Sequence, residues 1–330
     1  MMNNITNIVV SSRIRLARNI EKVPFAIDDP QFFENIALGI KQSFPDFYST
    51  KVADIAPELA SSLFEQHLIS KEILAHENYA SLVANKKNTV SIMLGEEDHV
   101  RIQVIKQGFN LSEEYREASE IAAALEKKFK IARSKELGYI TKCPTNLGSG
   151  MRASIMVFLP GLCLTGKILS VKNLFGELKI TFRGEKGEGS RSDGFMYQIS
   201  NQAHIALRPE EIIDMVIKAT TIICEAELAA QAELFNKDKL VLRDRVMKSL
   251  GILTYAELVS PDEAIEHLTN LKLGCSLNII RFKNNRIIDD LIFTTRPHTL
   301  FSRFAKNGAL PDPNAVRAKD IKSVIKQNLL

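Results

Sequence analysis

The tightest constraint on the fold is a hairpin signature in the first third of the chain. Thr89 to Leu94 and Val100 to Ile105 are two β-rich runs, and only Gly95-Glu96-Glu97-Asp98-His99 lies between them. That spacing predicts two strands folded back on each other, with the acidic residues in the turn. Three adjacent carboxylates repel one another, so the turn either meets a cationic group or is simply a solvated loop. Asn7 to Leu16 is a further strand, with Arg13 and Arg15 on one face and Ile14 and Leu16 on the other. Leu178, Ile180 and Phe182 alternate with Lys179, Thr181 and Arg183 as another strand. It runs into a loop, Gly184-Glu185-Lys186-Gly187-Glu188-Gly189-Ser190.

Helical periodicity fills much of the rest. Ser112 opens a helix carrying Ala118, Ile121, Ala122, Leu125 and Phe129, and a long helix begins near Pro209 with Ile212, Val216, Ala219, Ile223 and Ala226 on one face. Ser260-Pro261-Asp262-Glu263 reads as a capping box. The last helix is expected over about 317–329. At 330 residues the chain exceeds the usual limit of one core. A boundary near residue 240 divides it into 1–240 and a helical 241–330.

Composition narrows the function classes. Lys+Arg 43 against Asp+Glu 39 gives +4, too slight a surplus to argue for nucleic acid. The longest apolar stretch, Ser154 to Leu164, carries Pro160 and Gly161 and falls short of a membrane span. The start of the chain shows no secretory pattern, and Cys143, Cys163, Cys224 and Cys275 lie far apart without a C-x-x-C pair. These readings lead us to expect a cytoplasmic protein, no membrane, no nucleic acid and no dedicated protein metal site.

Any functional basicity is therefore local. Arg13, Arg15 and Arg18 fall within six residues, Arg101 follows the acidic turn, and Arg152 and Arg183 border Gly-rich loops. A guanidinium is a planar donor fork suited to phosphate oxygens, and several converging from strand ends make a triphosphate clamp without a P-loop. The competing reading is that arginines alternating on a strand face water. Cys143, beside Pro144 in a Gly-containing loop, is either a reactive thiolate or a small core residue. Gly161 to Ile168 has Walker A spacing, but Ile168 stands where Ser or Thr must bind magnesium. We read it as strand-turn-strand.

Taken together, these segments resemble the catalytic domain of the phosphagen (ATP:guanido) kinases. The matching pieces are Ser11-Ser12-Arg13-Ile14-Arg15-Leu16-Ala17-Arg18, Glu96-Glu97-Asp98-His99-Val100-Arg101-Ile102, and Leu137-Gly138-Tyr139-Ile140-Thr141 with Cys143-Pro144-Thr145-Asn146-Leu147-Gly148. Arg152-Ala153-Ser154, Arg183-Gly184 to Gly187-Glu188 and Ile199-Ser200-Asn201-Gln202 complete the set. Within the family the chain is similar to the bacterial protein-arginine kinase branch. Met156 stands where metabolite kinases usually have His, and ten residues precede Ser11 where those enzymes carry a helical domain. The stretch from Arg243-Asp244-Arg245 through Leu271-Lys272-Leu273-Gly274 is similar to the same branch.

The resemblance implies an α+β fold, an antiparallel sheet flanked by helices, followed by a small helical C-terminal domain for dimerisation or for client or phosphoarginine binding. It implies ATP and Mg²⁺ as cofactors and transfer of the γ-phosphoryl group to protein arginine side chains. Ser12, Arg13, Ile14, Arg15, Leu16, His67, Arg101, Arg152, Ala153, Ser154, Ile155, Met156, Arg183, Gly184, Glu185, Lys186, Gly187 and Glu188 would contact the nucleotide. Glu97 and Glu188 would be the catalytic carboxylates, with Cys143 beside the substrate nitrogen. Implied partners are arginine-bearing proteins, an activator protein, a Clp-type chaperone-protease and a second copy of the chain.

Two departures stand out. Gly95 replaces the family's Asn, which is expected to loosen the acidic turn. Pro313-Asn314-Ala315-Val316-Arg317-Ala318 lacks the first Arg and Asp of the branch's phosphoarginine-sensing motif. The alternatives are a metabolite guanidino kinase and a kinase-like adaptor without catalysis.

Overall fold

The structure is a computed structural model describing residues 7–177, 179–184, 193–202 and 207–330. The strands are β1 (Val9–Arg18), β2 (Tyr48–Lys51), β3 (Ser81–Ala84), β4 (Val90–Leu94), β5 (Val100–Gln107), β6 (Arg133–Ser134), β7 (Gly138–Tyr139), β8 (Met151–Phe158), β9 (Ile180–Gly184) and β10 (Met196–Asn201). The helices are α1 (Pro30–Ser43), α2 (Pro57–Glu65), α3 (Lys71–Ala75), α4 (Leu111–Lys128), α5 (Pro160–Leu164), α6 (Ile168–Glu177), α7 (Pro209–Tyr255), α8 (Pro261–Ser276), α9 (Arg286–Thr294), α10 (Pro297–Phe304) and α11 (Pro313–Asn328). Two compact units result. One comprises Ser11–Ile155 and Ser200–Lys218; the other comprises Met156–Ile199 and Ala219–Leu330 with the start of the chain through Val10.

In the first unit the strands run in the order β2-β3-β4-β5-β1-β8. The pairs β2/β3, β3/β4, β4/β5 and β5/β1 are all antiparallel. The expected hairpin is β4 and β5, with Leu94 opposite Val100. Helix α1 starts where Asp29 accepts from the Gln31 and Phe32 amides, with Pro30 in its first turn. Helix α4 buries Leu111, Glu114, Ala118, Ile121, Ala122 and Leu125, a helical-period stripe with one carboxyl in it. Val52, Leu63, Leu68, Ile69, Ile73, Leu82 and Met93 form a separate core under α2 and α3.

The second unit holds β9 and the start of β10 with the end of β8, and α5 through α11 except the first part of α7. Its core gathers Phe158, Val246, Leu268, Leu271, Ile288 and Ile321. The Ser260/Glu263 capping box is formed at the start of α8. Strand-turn-strand over Gly161 to Ile168 is corrected here: the segment is the end of α5, a turn, and the start of α6. Its cause lies 65 residues away, where the Glu227 carboxylate accepts the Gly161 and Leu162 amides at 2.7 and 2.9 Å and caps α5. Helix α7 extends to Tyr255 with a break in its helical backbone at Asp238 (φ −129°, ψ 36°), two residues before the expected boundary at residue 240.

Candidate active site

The first unit assembles its arginines on one face of the sheet. In the β1/β5 register Arg15 lies opposite Gln103 and Ala17 opposite Arg101, and directly paired residues share a face. Arg13, Arg15, Arg101 and Gln103 therefore project together. Strand β8 joins them, because Arg13 Nε donates to Ser154 Oγ at 3.3 Å and Arg152 lies two residues before Ser154. Arg152 in turn donates from Nη2 to Ser200 Oγ at 3.0 Å.

These charges repel. Burial, followed by the fields of Arg152 and Arg101, brings the Arg13 guanidinium down to about 10. Burial, then Arg13, Arg101 and Arg152, hold Arg15 well below its ordinary value. Arg15 makes no hydrogen bond among the described residues, and its Nε is buried. Glu96 and Glu97 offset Arg101, but Arg13 and Arg15 lie among like charges, and that part of the set is electrostatically incomplete among the described residues. A multiply charged anion with oxygens to accept from several forks completes it. Arg18, the neighbouring arginine, has a different role: it stacks 3.5 Å from the Tyr139 ring centroid and donates to Glu126.

The acidic turn sits at the end of the same face, and each carboxylate has a distinct environment. Glu96 is buried, ion-paired with Arg101, and accepts from Ser70 Oγ at 2.7 Å. Glu97 keeps 35% of its side chain exposed and touches Arg101 Nη2 at 3.3 Å. Asp98 is buried and accepts from Asn19 Nδ2 at 2.8 Å and the Lys142 amide at 2.7 Å. His99 accepts the Ile20 amide at Nδ1, so its Nε2 donates to the Pro24 carbonyl at 2.8 Å. Burial lowers its pKa, which keeps that neutral form. The turn is not a solvated loop: Glu96, Asp98 and His99 anchor it and leave Glu97 outermost. Through Lys142, Asp98 also fixes the residue before Cys143, whose Sγ lies 2.9 Å from Thr145 Oγ1.

Gly95 does not loosen the turn. Its φ of +78° is in the left-handed region, and an added Cβ would meet the Phe33 ring at 3.0 Å. Its carbonyl accepts from His76 Nδ1 at 2.9 Å and its amide donates to the His99 carbonyl at 3.0 Å. Asn tolerates that backbone region, but the Phe33 ring takes the space its Cβ needs.

Residues 34–230 match the family profile described as "ATP:guanido phosphotransferase, C-terminal catalytic domain", and residues 239–328 match "Protein-arginine kinase McsB C-terminal domain". The chain belongs to the ATP:guanido phosphotransferase family. Within it, a protein-arginine kinase of Clostridium kluyveri is 34% identical over 334 residues, covering 99% of this chain and 97% of that protein. One from Bacillus pumilus is 36% identical, covering 98% and 90%. Among solved structures, the duplicated taurocyamine kinase of Schistosoma mansoni with transition-state-analogue components matches at TM-score 0.57 and 26% identity, over 66% of this chain and 33% of that one. Lombricine kinase matches at TM-score 0.59 and 22% identity, over 69% and 68%, which bears on the fold alone. Membership of this ATP:guanido phosphotransferase family makes the protein a phosphotransferase, and its antiparallel sheet with flanking helices is the family's fold.

The residues named from the sequence as nucleotide contacts fall into four groups. Arg13, Arg15, Arg101, Arg152 and Ser154 are brought together as described, and His67 lies at their border, its carbonyl accepting Gln103 Nε2 at 2.7 Å. Ser12, Ile14, Leu16, Ala153 and Ile155 are buried, so their side chains face the core and only their main chain borders the arginine face. Met156 packs in the core of the second unit, where Gly184 ends β9 and Arg183 is exposed. Glu185, Lys186, Gly187 and Glu188 lie outside the described residues.

Several participants were not picked out from the sequence. Ser70 and Asn19 hold the acidic turn from distant segments, and Glu114 reaches under β1 from α4. None had a local signal, since each is defined by a partner 26 to 102 residues away. Arg317, the remnant of the sensing motif, is buried and donates to the Thr295 and Val259 carbonyls and to Asn314 Oδ1.

Proposed function

We propose that the protein transfers the γ-phosphoryl group of ATP to arginine side chains of proteins, forming phosphoarginine. The observation that carries this reading is the crowd of mutually repelling guanidiniums, Arg13, Arg15, Arg101 and Arg152, beside the outermost carboxylate Glu97. The relatives named protein-arginine kinase, matched over nearly their whole length, favour a protein substrate over a free metabolite.

The chemistry follows from charge. Phosphoryl transfer is promoted by positioning and by spreading charge over the equatorial oxygens, which is what a multi-arginine clamp supplies. The nucleophile is a guanidinium that holds its proton far above neutral pH and is costly to deprotonate beforehand. A nearby carboxylate favours its charged form, so Glu97 acts by aligning the nitrogen and taking the proton as the N–P bond develops. Glu188 is proposed as its counterpart and Cys143 as a neighbour of the substrate nitrogen. Arg183 and the segments around Met156 and Gly184 to Glu188 are proposed to complete the nucleotide contacts.

Mg²⁺ supplies further neutralisation of the phosphate charge. No group of three or more His, Cys, Asp or Glu side chains is assembled to hold a metal among the described residues. The ion is therefore proposed to arrive with the nucleotide, held by phosphate oxygens and water. The division at residue 240, with 241–330 serving partner contacts, is proposed on the same footing. Leu240, Val241, Met247 and Tyr255 are exposed on α7, which supports a homodimer through that helix. An activator protein and a chaperone-protease are proposed as further partners, and the cytoplasm as the location. Among the described residues no helix is long and apolar enough to cross a membrane.

The test is phosphorus NMR of the protein with Mg-ATP and either an unfolded arginine-containing protein or free arginine. An acid-labile phosphoramidate signal on the protein substrate is expected. A signal with free arginine alone would establish a metabolite kinase instead, and bound ATP with no transfer to either would favour an adaptor.

A further inference from the structure

Hydrogen counting at Ser12 fixes a proton that the sequence does not reveal. Ser12 Oγ has three partners: the Gly108 carbonyl at 2.9 Å, the Asn110 amide at 2.9 Å and Glu114 Oε1 at 2.9 Å. The Asn110 amide can only donate, so Oγ accepts there. The Gly108 carbonyl can only accept, so the single hydroxyl hydrogen belongs to it. Nothing is left for Ser12 to give Glu114. With Glu114 ionised, one of these two contacts would set two oxygen lone pairs against each other at 2.9 Å. A protonated Glu114 removes the conflict by donating to Ser12 Oγ.

The surroundings agree. Glu114 is fully buried on the inner face of α4, and burial is the largest cause pushing its carboxyl up to about 8. Three charged groups face it. Lys106 on β5 works the other way, through a main-chain hydrogen bond to the carboxyl and its charge. Its ammonium is already bridged to Glu113 and Glu117, at 3.4 and 2.8 Å, and burial outweighs both effects. Glu113 on the same helix opposes ionisation of Glu114. Arg13, the next residue after Ser12 on β1, feels a Glu114 carboxylate directly. Ser12 points under the sheet while Arg13 and Arg15 project from the opposite face, so fixing Ser12 fixes the strand that carries them.

We propose that Glu114 is a neutral carboxylic acid in the folded protein, a positioning residue that donates its proton to Ser12 and seats β1 so that Arg13 and Arg15 stand ready for phosphate. The proton has a second effect: it keeps a negative charge from lying behind Arg13. As pH rises through the Glu114 transition, both the hydrogen bond and that protection are lost, and anion affinity falls. The nucleotide part of this inference rests on the phosphotransferase reading above; the proton does not.

The experiment uses infrared difference spectra and Mg-ATP titration on the full chain, comparing wild type with E114Q and E114A. At neutral pH a protonated-carboxyl stretch should be present in the wild type and lost in E114Q. That subtraction separates it from Glu227, which burial also raises, to about 7. E114Q keeps a donor for Ser12 and should bind Mg-ATP within about twofold of wild type, while E114A should bind about tenfold more weakly. Wild-type affinity should fall between about pH 7 and about pH 9, and the E114Q profile should lack that limb. If E114A does not fold, S12A removes the acceptor instead and should weaken binding in the same way. An unchanged carboxyl band in E114Q, or E114Q binding as weakly as E114A, would overturn the proposal. Wild type that binds no ATP would instead sink the phosphotransferase reading, a result kept distinct because the band is read without nucleotide.

Discussion

Arg15 is held by the fold at an electrostatic cost, which the proposed phosphate site would explain. It has no hydrogen-bonding partner among the described residues; Arg13, Arg101 and Arg152 lower its pKa while Glu96 acts in the opposite direction. Its guanidinium pKa is depressed, so folding works against the charged form at any pH near neutral. Replacing it with the similarly long, uncharged Met should raise the stability of the nucleotide-free protein by about 1–3 kcal/mol. Urea denaturation checks this, and a less stable Arg15→Met would mean that Arg15 has a structural partner. The alternation of Arg13 and Arg15 with Ile14 and Leu16 was legible in the sequence, as was the acidic turn. Which carboxylate is anchored and which is outermost was not, because Ser70, Asn19 and Lys142 decide it from distant parts of the chain.

Elements with strong local signals were read well. The β4/β5 hairpin, the Pro209 helix start and the Ser260 capping box carry their causes within a few residues. The helix after Leu159 was missed because its cap is Glu227, contributed by α7. The packing of α8 on α9 has the same non-local character. Lys272 is ion-paired with Asp289, and both side chains are 5% exposed. Burial raises the Asp289 carboxyl while Lys272 opposes the rise. Lys272→Met leaves that carboxyl buried without its cation and should cost about 3–5 kcal/mol near neutral pH. A raised folded-state pKa means the native protein binds more protons than the unfolded chain above the ordinary Asp value. Stability of the variant should therefore fall as pH rises from acid toward neutral. Denaturation midpoints that do not steepen their pH dependence would show that Asp289 finds another partner.

Taken as a whole, the molecule gathers its arginine cluster and acidic turn within one compact unit. Ser11–Ile155 with Ser200–Lys218 carries the arginine face, the acidic turn and Cys143. The sequence order conceals this, since Ser200 returns to the unit after an excursion and pairs with Arg152 from 48 residues away. Motif resemblance recovered the family and the antiparallel fold because its residues recur in order along the chain. It did not expose the neutral carboxyl beneath β1, which depends on counting hydrogens in three dimensions. Binding and chemistry should accordingly separate along the sheet face, with the guanidiniums holding phosphate and Glu97 handling the nucleophile. The most direct check is calorimetric titration of Mg-ATP into wild type, Arg15→Met and Glu97→Ala, with transfer to an unfolded protein followed on the same samples. Glu97→Ala should bind ATP within about threefold of wild type while losing at least about a hundredfold in rate, and Arg15→Met should lose about tenfold or more in affinity. Arg15→Met binding ATP like wild type, or Glu97→Ala losing affinity in proportion to rate, would contradict this division.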